Sequence, residues 1–243
     1  MQLQGKRAWV IGASSGIGAA VAHALVHEGA SVAISARRAA ELDAVSSGRM
    51  VTVTCDVSDV QGMRIAATQV RDALGGIDLV IIATGYWQQM HAHGFELDEF
   101  VRHIDQNVIG MANCIDAALP HLVRGGTLVG VSSVAGYRGM PGAQGYGAAK
   151  AAQLNLLESL RIGLRARNIN VVTVAPGFVR TPMTASNTFP MPFIIEADEA
   201  AAHIIRGLRR GKAEIVFPRP MMIAMKLARL VPQSLWPRLF RNV

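Results

Sequence analysis

Strand-like and helix-like segments alternate along this chain from end to end. That alternation predicts an α/β fold: a doubly wound, mostly parallel sheet of about seven strands, helices on both faces, and a helical C-terminal extension. Two further observations agree. At 243 residues and 51% hydrophobic content, the chain is able to bury one large core. No proline-rich or serine-rich linker, internal repeat or low-complexity tract divides it, so residues 1–243 are expected to form a single domain.

The first element is residues 6–11 (Lys-Arg-Ala-Trp-Val-Ile), a short strand, apolar where it would be buried. Gly12-Ala13-Ser14-Ser15-Gly16-Ile17-Gly18 follows at once, and residues 19–28 then carry apolar side chains at helical spacing, with Gly29 as a stop. Strand, glycine turn and helix in succession form the setting of a Rossmann-like dinucleotide turn, here spaced G-x-x-x-G-x-G. Glycines let the turn tighten and the backbone approach a pyrophosphate, whose charge the helix N-terminus stabilises. A tight turn without a ligand is the bland alternative.

The next strand, residues 31–35, runs into Ala36-Arg37-Arg38. An acidic residue here would accept hydrogen bonds from the ribose hydroxyls of NAD, and none is present. Two planar, permanently charged guanidiniums suit a 2′-phosphate better, Arg37 first and Arg38 second. The alternative, two solvated arginines opening a helix, works against the helix dipole. NADP is therefore expected in preference to NAD.

Further on, Asp78-Leu79-Val80-Ile81 reads as the fourth strand, leading into Ile82-Ala83-Thr84-Gly85. Thr127–Ser132 is another strand, and Ser133 closes it, at the edge where parallel sheets place their ligands. Tyr146 and Lys150 lie four residues apart, so on a helix they project from the same face. A free tyrosine ionises near pH ~10 and is a poor base at neutrality. An ammonium beside it is expected to favour the phenolate and bring proton transfer toward neutral pH.

In order and spacing, the Gly12–Gly18 loop, Asp56-Val57, Asn107, Ser133, Tyr146, Lys150 and Pro176-Gly177 resemble the short-chain dehydrogenases/reductases, over about residues 5–185. The resemblance implies that the loop, Gly12, Ser14, Ser15, Gly16, Ile17 and Gly18, forms the pyrophosphate turn and that Asp56 and Val57 hold the adenine. It implies that Ala83 and Gly85 approach the cofactor, and that Pro176, Gly177, Val179 and Thr181 bracket the nicotinamide. Ser133 would polarise a substrate carbonyl while Tyr146 donates or accepts the proton. Lys150 would bind the nicotinamide ribose and tune Tyr146, with Asn107 organising a water relay to it. The implied reaction interconverts a ketone or aldehyde and an alcohol by hydride transfer with NADP(H). Residues 184–196, rich in Phe, Met and Pro, would be a substrate loop suited to an apolar substrate. Homodimers or homotetramers would form through residues 98–121 and 144–167. One departure is plain: the family's Asn-Asn-Ala-Gly is Ile82-Ala83-Thr84-Gly85 here, which removes two amides from the local support.

Net charge is +7, and it is unevenly placed. Residues 1–200 hold 15 Lys and Arg against 16 Asp and Glu; residues 201–243 hold nine against one, Glu214. Within 219–243, basic residues alternate with Met, Leu, Trp and Phe at helical spacing. That suits an anionic membrane surface or an acidic partner, or a short helix packed on the core or a second subunit. Nucleic-acid binding finds no reading module. The two cysteines, Cys55 and Cys114, stand in apolar settings and read as free thiols of a reducing compartment. The strand so near the N-terminus leaves no room for a signal peptide, and no apolar run spans a bilayer, so a cytoplasmic location is expected, peripheral to the membrane if the extension binds it. His91 and His93 lack a third ligand, and no metal site is expected. Reduction of carrier-bound 3-oxoacyl groups and non-catalytic NADP binding stand as alternatives to a reductase of lipophilic carbonyls.

Overall fold

The structure, a computed structural model, describes residues 1–91 and 93–240. Position 92, within the predicted loop 86–97, and residues 241–243, at the end of the predicted extension, lie outside the described residues.

Seven parallel strands form one sheet in the order β3-β2-β1-β4-β5-β6-β9. They are β1 (Arg7–Ile11), β2 (Ser31–Ala36), β3 (Val51–Thr54), β4 (Ile77–Ile82), β5 (Leu122–Val131), β6 (Asn170–Pro176) and β9 (Glu214–Phe217). Between them run α1 (Gly16–His27), α2 (Ala39–Ser46), α3 (Val60–Leu74), α4 (Leu97–His103), α5 (Gly110–Ala118), α6 (Gln144–Gly163) and α7 (Ala197–Arg209), with α8 (Arg219–Ala228) after the last strand. A two-residue pair, β7 (Val179–Arg180) with β8 (Ile195–Glu196), pins both ends of the loop between them.

The strands are buried on both faces because residues alternate between two cores. Val10, Ile34, Leu79, Ile81, Val129 and Val174 meet α1 and α7, including Val21, Leu25, Ile204 and Leu208. Trp9, Ile11, Val80, Ile82, Leu128 and Val171 meet α3, α5 and α6, including Met63, Met111 and Leu157. Each such side chain contributes about 1.5–3 kcal/mol on burial. The Trp9 indole donates to Ser35 Oγ at 2.8 Å, which satisfies the single polar atom of a fully buried ring.

Three boundaries differ from the sequence expectation. α1 begins at Gly16 rather than at residue 19, with Ser15 as an extended N-cap, so Ile17 and Gly18 belong to the helix's first turn. β5 begins at Leu122, and its pairing with β4 shifts register between Ile77 and Leu79 to absorb the extra residues. The segment 98–121, expected to take part in oligomer contacts, is not one regular helix but is interrupted by a π-helical turn over Ile104–Ile109. Wide turns of this kind are frequent at functional sites, and this one carries Asn107. Among the described residues, no helix is long and apolar enough to cross a membrane.

Candidate active site

At the C-terminal ends of β1, β2 and β4, the glycine loop forms one wall of a cleft of about 310 Å³. Gly12, Ser14, Ser15, Gly16, Ile17 and Gly18 line it, together with Arg37, Arg38, Cys55, Val57, Ala83, Thr84, Gly85 and Thr181. Two glycines are required by close backbone passage. A Cβ at Gly18 would lie 2.2 Å from the Gly12 carbonyl oxygen, and one at Gly12 would lie 2.7 Å from Thr84 N. Backbone therefore passes over backbone with no side chain between, and the N–H groups of α1's first turn, which have no partner within the helix, border the cleft.

Both predicted arginines border this cleft. Arg37 Nη1 stands 4.0 Å from Asp56 Oδ2; Arg38 donates to Ser14 Oγ at 3.2 Å and pairs with Glu41. Their side chains are 65% and 59% exposed, so they stay solvated and able to meet a phosphate. Burial works against the Asp56 charge, but the Ser58 N–H and hydroxyl, with Arg37, hold its carboxyl below the usual range. The carboxylate accepts both Ser58 bonds, at 2.9 and 2.8 Å, and it is the neighbours Cys55 and Val57 that face the cleft. This donor set fits a dinucleotide carrying an extra phosphate: a side-chain-free cradle for a pyrophosphate, two guanidiniums at the far strand end, and an apolar wall between.

The second half of the site lies beyond Gly85. A Cβ there would sit 3.5 Å from Asn107 Oδ1 and 3.7 Å from Lys150 Nζ, so this residue joins the cleft to the titratable cluster. Ser133 leaves β5 in extended backbone; its Oγ accepts from Ala135 N at 3.1 Å and donates to the Pro176 carbonyl at 3.4 Å. Tyr146 and Lys150 lie on α6, which the sequence positions closely. The Ser132 hydroxyl donates to the Lys150 carbonyl at 2.9 Å, and a Cβ at Gly136 would collide with the Lys150 backbone at 2.6 Å.

Lys150 is 3% exposed, and burial pushes its ammonium down to about 7. Burial also pushes the Tyr146 phenol up, to about 12, while the Ser133 hydroxyl pulls it the other way. This departs from the expectation that the cation would acidify the phenol. Lys150 Nζ lies 5.4 Å from the Tyr146 ring centroid and donates instead to Gln153 Oε1 at 2.9 Å and to the Val131 carbonyl at 3.3 Å.

Asn107 also differs from its expected part. Its amide donates to the His103 carbonyl at 2.9 Å and to the Tyr86 carbonyl at 3.0 Å, and its Oδ1 accepts from Tyr86 N at 3.0 Å. The side chain thus pairs with the irregular backbone after β4, just past the Ile82-Ala83-Thr84-Gly85 segment. The link to Lys150 runs through Gln153, whose Nε2 donates to the Asn107 carbonyl at 2.7 Å. Sequence reasoning missed Gln153, although its spacing, three after Lys150 and seven after Tyr146, puts it on the same helical face.

It also missed the aromatic wall. Trp87 packs edge-on against Tyr146 with centroids 5.1 Å apart, and His103 packs against both. His103 Nδ1 donates to the Glu99 carbonyl at 2.8 Å while Nε2 accepts from Gln88 N at 3.2 Å, so the buried ring is fully used. The Trp87 indole donates to Asn187 Oδ1 at 2.8 Å, and Phe189 and Phe178 continue the wall. Thr181, Pro182 and Met183 reach the cleft, whereas Gly177 and Val179 pack behind it against Met221 and the core. Cys55 and Cys114 are free buried thiols, and burial pushes Cys55 up to about 11.

Comparison with known proteins shows the family and the fold. A family model described as short chain dehydrogenase matches residues 6–190. An uncharacterized oxidoreductase of Myxococcus xanthus (strain DK1622) is 36% identical over 98% of this chain and 97% of its own length. A 3-oxoacyl-(acyl-carrier-protein) reductase of Thermotoga maritima is 31% identical over 76% of this chain and 78% of its own. Among solved structures, a short chain dehydrogenase from Burkholderia cenocepacia in complex with NADP superposes with a TM-score of 0.88, at 27% identity, covering 98% of this chain and 99% of that one.

Proposed function

The chain belongs to the short-chain dehydrogenase family and is an oxidoreductase; from that premise we propose that it reduces lipophilic ketones or aldehydes with NADPH, Tyr146 acting as the proton donor. One arrangement carries the reading: the Tyr146 phenol stands beside the Ser133 hydroxyl, with Lys150 Nζ 5.4 Å from its ring and next to Gly85, where the glycine-loop cleft ends. The domain organisation proposed with it is one dinucleotide-binding unit over residues 1–243, with 184–196 as substrate loop and 219–243 as extension.

When bound, the nicotinamide supplies the hydride. Gly12, Gly16 and Gly18 with the first turn of α1 hold the pyrophosphate, and Arg37 and Arg38 hold the 2′-phosphate. Ser133 donates a hydrogen bond to the carbonyl oxygen, and that bond strengthens as negative charge develops. Tyr146 gives its proton to the same oxygen; a phenol held protonated by burial is in the right state to do so at neutral pH. Lys150 returns a proton to Tyr146, and Gln153, anchored on the Asn107 carbonyl, holds the ammonium in place. Trp87, Phe178 and Phe189 give the substrate an apolar, aromatic surround, which favours a lipophilic carbonyl compound.

The test is Tyr146→Phe assayed on a panel of lipophilic carbonyls. Turnover should fall by about 10²–10⁴-fold with NADPH affinity unchanged, and near-normal turnover would refute the assignment. The Thermotoga relative favours a second reading, 3-oxoacyl groups on an acidic carrier. Salt-sensitive turnover of carrier-bound substrate, with none on free ketones, would select it.

A further inference from the structure

The C-terminal segment has one face held by the protein and another that no described residue covers. On the inner face, α8 lays Met221 and Met225 against Val134, Tyr137 and Ala175. Beyond the helix, Arg138 donates to the Val231 carbonyl at 2.9 Å and the Trp236 indole donates to the Gly139 carbonyl at 2.7 Å. The segment is thus a fixed surface. Its outer face carries Ile223 at 55% exposure, Leu227 at 58% and Leu230 at 78%, continuing to Leu239 at 67%. Ile223 and Leu227 lie four residues apart on one face of α8, and Leu230 follows in the turn after it. Several large apolar side chains exposed so close together in sequence are what a docking face requires.

Charge decides what docks there. Exposed Arg219, Lys226, Arg229 and Arg238 accompany these apolar side chains, and among the described residues Arg219 and Arg238 make no ion pair. The sole acid of residues 201–243, Glu214, already accepts from Tyr137 at 2.6 Å and Lys226 at 2.7 Å. A second copy seated on this face would set the same positive charge against it, and like charges across an interface disfavour association. An anionic bilayer offers apolar depth for the leucines and phosphates for the guanidiniums in one plane. We infer that residues 219–240 dock on an anionic membrane surface, Ile223, Leu227 and Leu230 entering the headgroup boundary without spanning the bilayer. The surface stands behind the site: Met221 abuts Gly177, and the Gly139 segment continues to Gly142, whose carbonyl accepts from Met90 N at 3.0 Å. The inference does not depend on which reaction the site performs.

The experiment is flotation of the full-length protein with vesicles of phosphatidylcholine, alone or with about 30 mol % phosphatidylglycerol, at low and high salt. At least about tenfold more protein should float with the anionic vesicles, and high salt should reduce it. Leu227→Asp with Leu230→Asp should abolish flotation, and Arg219→Glu with Arg238→Glu should weaken it on anionic vesicles. Far-UV circular dichroism and melting temperature should match wild type, since all four positions are exposed; if the Asp pair misfolds, Ser at the same positions replaces it. Equal flotation on both vesicle types, no flotation on either, or variants that float like wild type would each overturn the inference. So would a wild-type oligomer that stays off vesicles and that Leu227→Asp dissociates, because the face would then belong to a second copy.

Discussion

Tyr146 and Lys150 share one face of α6, yet burial moves their proton affinities in opposite directions, because removal from water disfavours the charged form of each. A phenol that stays protonated well above neutrality and a lysine that titrates near pH 7 together suit proton delivery toward a carbonyl oxygen. The reduction rate, kcat/KM, should therefore fall as pH rises through about 7, where Lys150 loses its proton. Gln153→Leu removes an acceptor that favours the ammonium, so the midpoint of that profile should move to lower pH; an unchanged midpoint would show that Gln153 is only a packing residue. At the other end of the cleft, Arg37→Ala should weaken NADPH binding by about tenfold or more and leave NADH binding nearly unchanged, as fluorescence titration with the two cofactors would show. Equal losses for both would remove the 2′-phosphate role.

Elements bring these residues together, and two of them do so through breaks in regularity. Asn107 lies within the π-helical turn Ile104–Ile109, and its amide donates to the His103 carbonyl and to the Tyr86 backbone. Asn107 thereby fixes the Tyr86 backbone, the residue after Gly85. The loop between β7 and β8 is tied at its ends by the two-residue ladder and in its middle by the Trp87–Asn187 hydrogen bond. Because Trp87 also packs on Tyr146, that bond fixes both the roof of the site and one flank of the proton donor. Asn187→Leu should raise KM several-fold, by the roughly 1 kcal/mol of a lost hydrogen bond, with a smaller effect on kcat. Trp87→Phe, which keeps an aromatic ring but loses the donor, should give the same split. Steady-state kinetics on one lipophilic ketone would check both.

Across the whole molecule, a lysine held in the interior costs stability. In the folded chain Lys150 loses its proton near pH 7, whereas an unfolded lysine keeps it to its ordinary value of 10.5. The unfolded state therefore binds more protons between those limits, so this residue makes stability rise with pH from about 7 to 10.5. Below pH 7 both states are charged, and the folded state bears the full desolvation cost. Lys150→Met should stabilise the protein by on the order of 2 kcal/mol at pH 7, after the loss of its hydrogen bonds to Gln153 and Val131, with the gain shrinking toward pH 10. Thermal melts of both proteins across pH would show it, and activity should be lost in parallel.

Local pattern and spacing determined much of this protein. Short apolar runs marked the strands, helical spacing set α1 and α6, and glycine positions marked the turn, because each depends on backbone geometry within a few residues. The Tyr146–Lys150 face and the arginines after β2 were legible for the same reason. Tertiary structure alone decided the rest. The start of β5 depends on its partner strand, and the π-helical turn forms where Asn107 finds the Tyr86 backbone. Trp87 meets Asn187 across a hundred residues of chain. Proton affinities lay furthest from the sequence: spacing places a cation beside a phenol, but only packing removes the water around both, and here desolvation outweighs their attraction.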